Sequence, residues 1–381
     1  MRYFRVMVSA FPPAGMIKER MAAMTTALKD LTEIRSPAGW TGDEITHSTD
    51  WLYQLSNAEV MELETVGTKF LMDDPDLRTV TADRYPLPVT ASALVAWMHD
   101  MDRGRGFVLV RGLRSELYSD ALSAAIFFLL GLHLGRPMAQ NQFGDLFDHV
   151  VATSDKTMDD PSALPSRTRD RLNFHSDSSD VVGLMCLRGA REGGASILIS
   201  GVTIYNEVVR RRPDLAPLLY ETWHYDWYRQ DHDAPARYYS SPMVSFVDGV
   251  FSMYAGSNMI RSAQDYPEVP RMTPQQYELL DLLDEIFLEP GLPVTMDFRP
   301  GDIQWLLNYA ALHSRSGYRD FEQPERKRHL LRLWLKRDVH RPLTPGFGKP
   351  FVARKVGLTV SDEDLRNRIS QVCYPRREWG L

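Results

Sequence analysis

Cysteine is nearly absent: the 381 residues carry only Cys186 and Cys373. Two thiols build neither a disulfide framework nor a thiolate zinc site on their own, so a reducing, cytoplasmic setting is expected. No apolar run reaches the ~18 residues that cross a bilayer. The longest, Ala121 to Leu134, is broken by Ser123 and His133 and reads as a buried helix. Basic residues are in deficit, 44 Lys and Arg against 50 Asp and Glu, and the net charge of −6 excludes a nucleic-acid surface that relies on overall basicity. Neither nucleic acid nor membrane is therefore expected as a partner. No period of 20–50 residues recurs and nothing is low-complexity, which excludes solenoids and arrays. The first residues hold two arginines and a short apolar stretch, but Pro12-Pro13 break it too early for a signal peptide. Met21 or Met24 would serve equally as a start, and residues 1–35 read as a poorly ordered extension.

What is present is an ordinary globular balance, 44% hydrophobic and 25% charged, enough to bury a sizeable core. Residues 40–75 look helical, with Trp40, Trp51, Leu52 and Leu55 inward. Gly106 to Gly112 frames a short strand, and Asp120 caps a helix that runs to about His133. Thr153 to Arg171, with Pro161 and Pro165, reads as a long loop of the kind that forms lids or binding segments. From Leu172 onward short strands and Gly/Pro turns dominate, at 181–187, 196–200, 238–247, 250–254, 294–298, 303–307 and 328–336. Helices at about 202–212 and 274–288 interrupt them. This pattern predicts an α+β chain with a mainly β core, a sandwich or jelly roll with helices packed outside. No linker breaks it, so residues 36–340 read as one domain and 341–381 as a C-terminal tail.

Ten histidines form the search set for chemistry. In Asn173-Phe-His175-Ser-Asp177 an extended backbone points residues i and i+2 to one face, which sets an imidazole beside a carboxylate. Such a pair plus one distant histidine makes the 2-His-1-carboxylate arrangement of non-haem Fe(II), with coordination positions left open. His313 is the candidate third ligand: it follows the Pro300-Gly301-Asp302 turn and an apolar strand, at whose end it is expected. His224-Tyr-Asp226 and Asp231-His232-Asp233 offer rival pairs, and the first of these reads as structural. In Arg328-His-Leu-Leu-Arg332-Leu-Trp334, residues Arg328, Leu330, Arg332 and Trp334 share one strand face. An arginine facing a β core requires an anionic partner: an ion pair with Asp297 or Glu325, or a dicarboxylate ligand held by the guanidinium fork. The aromatic run Trp223 to Tyr228 reads as core rim, with a cage for a quaternary ammonium as the alternative.

Taken together, His175-x-Asp177, His313 and Arg328-x-x-x-Arg332 resemble the taurine dioxygenase/TfdA-like family of Fe(II)- and 2-oxoglutarate-dependent oxygenases, with a γ-butyrobetaine hydroxylase flavour in Arg328-His329-Leu330. Gly193-Gly194-Ala195-Ser196 is similar to that family's Gly-Gly-Asp-Thr, though Ala195 replaces the acid. The resemblance covers about residues 85–340. It implies a double-stranded β-helix with Fe(II) on His175, Asp177 and His313. It also implies 2-oxoglutarate on Arg328 and Ser196, with Arg332 beside it or facing substrate, and O2 at the remaining position. Gln140, Asn141 and Tyr309 would line the pocket for a small-molecule substrate, and self-association into a homo-oligomer is compatible. The implied activity is oxidative decarboxylation of 2-oxoglutarate to succinate and CO2, coupled to hydroxylation of a C–H bond. The competing classes are a divalent-metal hydrolase on the same ligands and a non-catalytic jelly-roll binding protein.

Overall fold

A computed structural model describes residues 31–141, 144–153, 155–158, 164–227, 234–338, 341–350 and 368–372. The strands are β1 (Leu52–Gln54), β2 (Phe107–Arg111), β3 (Arg136–Pro137), β4 (Phe147–Val150), β5 (Leu172–His175), β6 (Val181–Arg188), β7 (Glu192–Gly193), β8 (Ser196–Ser200) and β9 (Thr222–Asp226). They continue with β10 (Tyr238–Pro242), β11 (Val244–Val247), β12 (Val250–Met253), β13 (Val294–Met296), β14 (Ile303–Leu307), β15 (Ala311–Arg315), β16 (Tyr318–Arg319) and β17 (His329–Lys336). The helices are α1 (Gly42–Thr46), α2 (Asn57–Asp73), α3 (Ala91–Arg103), α4 (Asp120–Leu134), α5 (Gly201–Arg211), α6 (Ser257–Ala263), α7 (Pro274–Leu288) and α8 (Ile369–Val372).

Two sheets dominate. The larger runs β1-β2-β14-β6-β17, with β3 and β4 both pairing β17; the smaller runs β13-β8-β15-β5 and is antiparallel throughout. Along the chain β4, β6, β14 and β17 enter the larger sheet while β5, β8, β13 and β15 enter the smaller. The core is therefore mainly β, with helices outside. Leu331, Leu333 and Leu335 of β17 join Trp305 and the α4 residues Phe127, Phe128 and Leu130 in one apolar cluster on the outer face of the larger sheet. Helix α4 is apolar all round, as expected of a helix buried on every side. On the far side Ile199 and Leu312 of the smaller sheet pack with Val208 of α5 and Leu283 and Phe287 of α7. Between the sheets Phe107, Leu198, Met296, Leu306 and Ala311 make a small apolar cluster. Polar side chains fill the remainder, and the functional site follows from that.

Several expectations are corrected. Residues 40–75 are two helices with a strand between them, because Leu52–Gln54 adds in parallel to the edge of β2. Capping boxes at Thr41 and Ser56 start the two helices separately. The stretch 238–247 is two strands that belong to two hairpins, β9–β10 and β11–β12, and it breaks at Met243. His313 does not end the strand 303–307; a turn at 308–310 intervenes, and His313 is central in β15. Among the described residues beyond 340, Arg341 reaches Ser252 and the Phe251 carbonyl, and Ser370 bonds Asp74.

Gly301, at φ +88, makes the turn into β14 that the Pro-Gly pair predicts, and Asp302 beside it takes both prongs of Arg111 at 2.8 and 2.7 Å. Gly183 is required by contact instead: it pairs with Trp305, and a Cβ there would stand 2.3 Å from Trp305 Cζ3. Gly183→Ala is expected to cost about 1–3 kcal/mol of stability by overpacking. Urea denaturation reads this directly, and an unchanged midpoint would contradict the packing of Trp305 on β6.

Candidate metal centre

Strand β15 lies between β8 and β5, and His313 is the register partner of His175. Paired residues of an antiparallel ladder share a face, and the two imidazole centroids are 4.3 Å apart. Strand β5 stops at His175, so strand alternation does not bring Asp177 in. Buried Asn308, in the turn between β14 and β15, does so. Its Oδ1 accepts the Asp177 N–H at 2.8 Å, and its Nδ2 donates to the carbonyls of Asp177 and Ser179 at 2.6 and 2.9 Å. Asp177 then lies 3.8 Å from His175 Nε2 and 3.6 Å from His313 Nε2. One ligand atom from each of the three falls within 4.8 Å of the others. His175 Nδ1 lies 2.8 Å from the Asn173 carbonyl, and donation there leaves Nε2 as the lone-pair nitrogen facing the cluster.

Burial pushes the Asp177 carboxyl up, but the Arg332 guanidinium and both imidazoles outweigh it and hold the group well below the usual carboxylate range. Burial lowers His175, with the neighbouring His313 adding to the effect, to about 4. At neutral pH the cluster thus presents an ionised carboxylate beside the neutral imidazole of His175, the protonation states that a divalent cation requires. Trp334 Nε1 donates to Asp177 Oδ2 at 2.8 Å and fixes its orientation.

Arg332 differs from its expected role. Its Nε donates to Gln140 Oε1 at 2.8 Å, its Nη2 to Asp148 Oδ2 at 2.9 Å, and its Nη1 is 3.5 Å from Asp177 Oδ2. The other Asp148 oxygen accepts Arg167 Nη2 at 2.7 Å. A buried chain of alternating charge therefore runs from Arg167 through Asp148 and Arg332 to Asp177, and protein acceptors occupy the guanidinium expected to meet a ligand. Gln140 is likewise a clamp, donating to the carbonyls of Leu146 and Arg332 at 3.0 and 2.7 Å, and Asn141 bonds Asp145 at 2.9 Å. Neither lines the cavity of about 570 Å³ that opens beside Asp177. Tyr309 does line it, with its hydroxyl donating to Asp180 at 3.0 Å.

Arg328 makes no pair with Asp297 or Glu325. It is buried, Nη2 donates to the Gly194 carbonyl at 3.0 Å, and Nη1 has no partner. Ser196 donates to Gln304 at 3.2 Å. The sequence reading missed Arg315, the cross-strand partner of Ser196. It lies two residues after His313 on the same strand face, the signal that would have found it. Arg315 is 4% exposed, Nη2 donates to the Thr168 and Asp170 carbonyls, and Nε and Nη1 are buried without partners. Its guanidinium and that of Arg328 lie 4.8 and 5.2 Å from the centre of one ring, Tyr318. Burial lowers Arg315 to about 10, and the charge on Arg328 adds to this.

The rival pair stays structural: His224 meets Ser240 at 2.9 Å, and Asp226 accepts the hydroxyls of Ser262 and Tyr266 at 2.9 and 3.0 Å. Trp223 and Tyr225 are core residues. Tyr228 and Asp231-His232-Asp233 lie outside the described residues.

Comparison with known proteins adds a family. The model of the taurine catabolism dioxygenase TauD, TfdA family matches residues 75–334. FR-33289 synthase of Streptomyces rubellomurinus is 28% identical over 306 residues, 78% of this chain and 88% of that protein. The taurine hydroxylase-like protein SAT17 of Stachybotrys chartarum is 27% identical over 336 residues, 85% of each chain. In fold the chain is similar to an asparagine oxygenase solved with Fe(II), 3-hydroxyasparagine and succinate, at TM-score 0.58 and 17% identity over 75% of this chain and 93% of that one. It is also similar in fold to the non-haem iron oxygenase OrfP solved with Fe and α-ketoglutaric acid, at TM-score 0.54 and 16% identity over 75% and 94%.

Removing the Trp334 hydrogen bond tests the centre without touching a ligand. Trp334→Phe is expected to weaken Fe(II) binding about 10- to 100-fold in anaerobic calorimetric titration, the usual cost of losing an outer-shell partner. Affinity within twofold of the parent would contradict the role given to Trp334.

Proposed function

The chain belongs to the taurine catabolism dioxygenase TauD, TfdA family, and from that premise we propose a role for each side chain of the centre. It is an Fe(II)- and 2-oxoglutarate-dependent dioxygenase that hydroxylates a small molecule. His175, Asp177 and His313 hold the iron. The fit rests on their chemistry: two imidazole nitrogens and one ionised carboxylate within 4.8 Å of one another, the donor set that a non-haem Fe(II) would take. Bound Fe(II) with 2-oxoglutarate supplies O2 activation: 2-oxoglutarate becomes succinate and CO2, one oxygen atom enters the succinate, and the other ends in the alcohol formed from the substrate C–H.

The protein's own part is binding and orientation. Arg328 and Arg315 hold the far carboxylate of 2-oxoglutarate with Ser196 beside them. Two buried guanidiniums with unpaired N–H groups next to one another are unstable without an anion, and that observation carries the reading. It also disfavours metal-assisted hydrolysis, which requires no dicarboxylate. Arg332 serves as a positioning residue, holding Asp177 ionised and aimed while Asp148 and Gln140 hold Arg332. Tyr309 lines the substrate cavity. The exchange of eight strands between the two sheets supports a double-stranded β-helix as the core, and residues 36–340 as the catalytic domain. Cytoplasmic placement goes with a buried free thiol at Cys186.

His175→Ala and His313→Ala are each expected to abolish succinate formation from 2-oxoglutarate in the presence of Fe(II) and O2. Arg315→Gln is expected to retain the metal and raise the KM for 2-oxoglutarate about tenfold or more, the loss of a charged hydrogen bond. Full turnover in both histidine variants would refute the centre, and an unchanged KM would remove Arg315 from the co-substrate site.

A further inference from the structure

Resting on the dioxygenase reading, we propose that residues 341–350 form a strap that walls the cavity beside Asp177, and that Phe347 on it determines how bulky a molecule reaches the metal centre. Leu343, Phe347, Gly348 and Lys349 line that cavity together with Asp177 and the rings of Tyr254 and Tyr309. The family match ends at residue 334, so the strap lies outside the residues that carry the family likeness. Phe347 packs on both lining rings, with centroids 5.8 Å from Tyr309 and 6.3 Å from Tyr254. A turn sets its backbone. The Phe347 N–H donates to the Thr344 carbonyl at 3.0 Å, and the glycines on either side take φ +80 and +83, conformations that other residues resist.

Serine hydroxyls on three strands fasten the strap. The Gly348 N–H donates to Ser241 of β10 at 2.8 Å, the Thr344 N–H to Ser245 of β11 at 2.8 Å, and Arg341 Nε to Ser252 of β12 at 2.7 Å. Arg341 Nη2 also donates to the Phe251 carbonyl at 2.6 Å. Ser245 and Ser252 are register partners, so both hydroxyls leave one face of their hairpin. All three serines are at most 1% exposed. Lifting the strap would strip partners from three buried hydroxyls, and the fastened arrangement is therefore the stable one. Lys349 adds a further hold, its Nζ 5.8 Å from the Trp227 ring centre and 5.9 Å from that of Tyr239. An aromatic wall held in this way discriminates by volume: a molecule too large for the space must displace Phe347 and the anchored turn with it.

The experiment uses the full chain carrying Ala139→Cys, which puts a thiol on the cavity lining, and Cys373→Ser, which leaves buried Cys186 as the only other thiol. Labelling by N-methylmaleimide, a small probe, and by N-(1-pyrenyl)maleimide, a bulky one, is followed by mass spectrometry. Each rate is referred to that of glutathione with the same reagent, and succinate formation is measured separately. The expected result is that the lining thiol takes the small probe and discriminates about tenfold or more against the bulky one. Phe347→Ala removes that discrimination and leaves the small-probe rate within about twofold. Arg341→Gln, which does not line the cavity, does the same by unfastening the strap. Phe347→Trp slows both probes, a change that unfolding does not mimic, and an unlabelled Cys186 reports that each variant keeps its fold. Equal relative rates for the two probes in the starting chain overturn the proposal, as does discrimination unmoved by Phe347→Ala and Arg341→Gln. The two readings fail differently. Size selection that follows Phe347 without any succinate removes the dioxygenase reading and leaves the strap. Succinate formation with labelling that ignores Phe347 removes the strap inference alone.

Discussion

One placement organises the molecule: strand β15 lies between β8 and β5 so that His313 stands opposite His175. Everything polar between the sheets is arranged around that pairing. Asn308 belongs to the turn that feeds β15, and it holds the backbone of Asp177 with two hydrogen bonds and that of Ser179 with a third. The same turn that sets the strand of His313 therefore positions the carboxylate of Asp177. A displacement of β15 by one residue would turn His313 outward toward α5 and α7 and bring Leu312 in.

Burying a carboxylate between two sheets is costly unless it is matched by donors and positive charge. Here Trp334 and Arg332 of β17 provide them, and Asp148 of β4 with Arg167 continues the alternation to the loop at 165–167. The centre is thereby fastened to both sheets. On its other side the charges are not matched by the protein. Arg315 and Arg328 are positive, buried and partly unpaired, a cost that a bound anion would relieve.

Much of this was legible in the residues. His175, Asp177 and His313 stand out because their types and order carry the chemistry, and Arg328 because a guanidinium on a buried strand face demands an anion. The mainly β character followed from turn signals and short apolar strands. What escaped has physical reasons. Gln140 and Asn141 are polar residues after a helix, and whether such side chains turn to a pocket or clamp a loop depends on tertiary partners, here Arg332 and Asp145. Arg332 shares the strand face of Arg328, but nothing local announces that Asp148 from β4 would capture it. Residues 52–54 have no helix-breaking signal strong enough to reveal a strand that exists only because β2 offers an open edge.

The most direct measurement is an anaerobic titration of Fe(II) into the chain with 2-oxoglutarate, followed by the visible charge-transfer absorption of an iron–keto-acid chelate. The expected result is a band that saturates at equimolar metal, requires 2-oxoglutarate, and is absent in His313→Ala. Absence of the band in the parent chain, or an undiminished band after loss of His313, would contradict the assembly of the three side chains into one iron site.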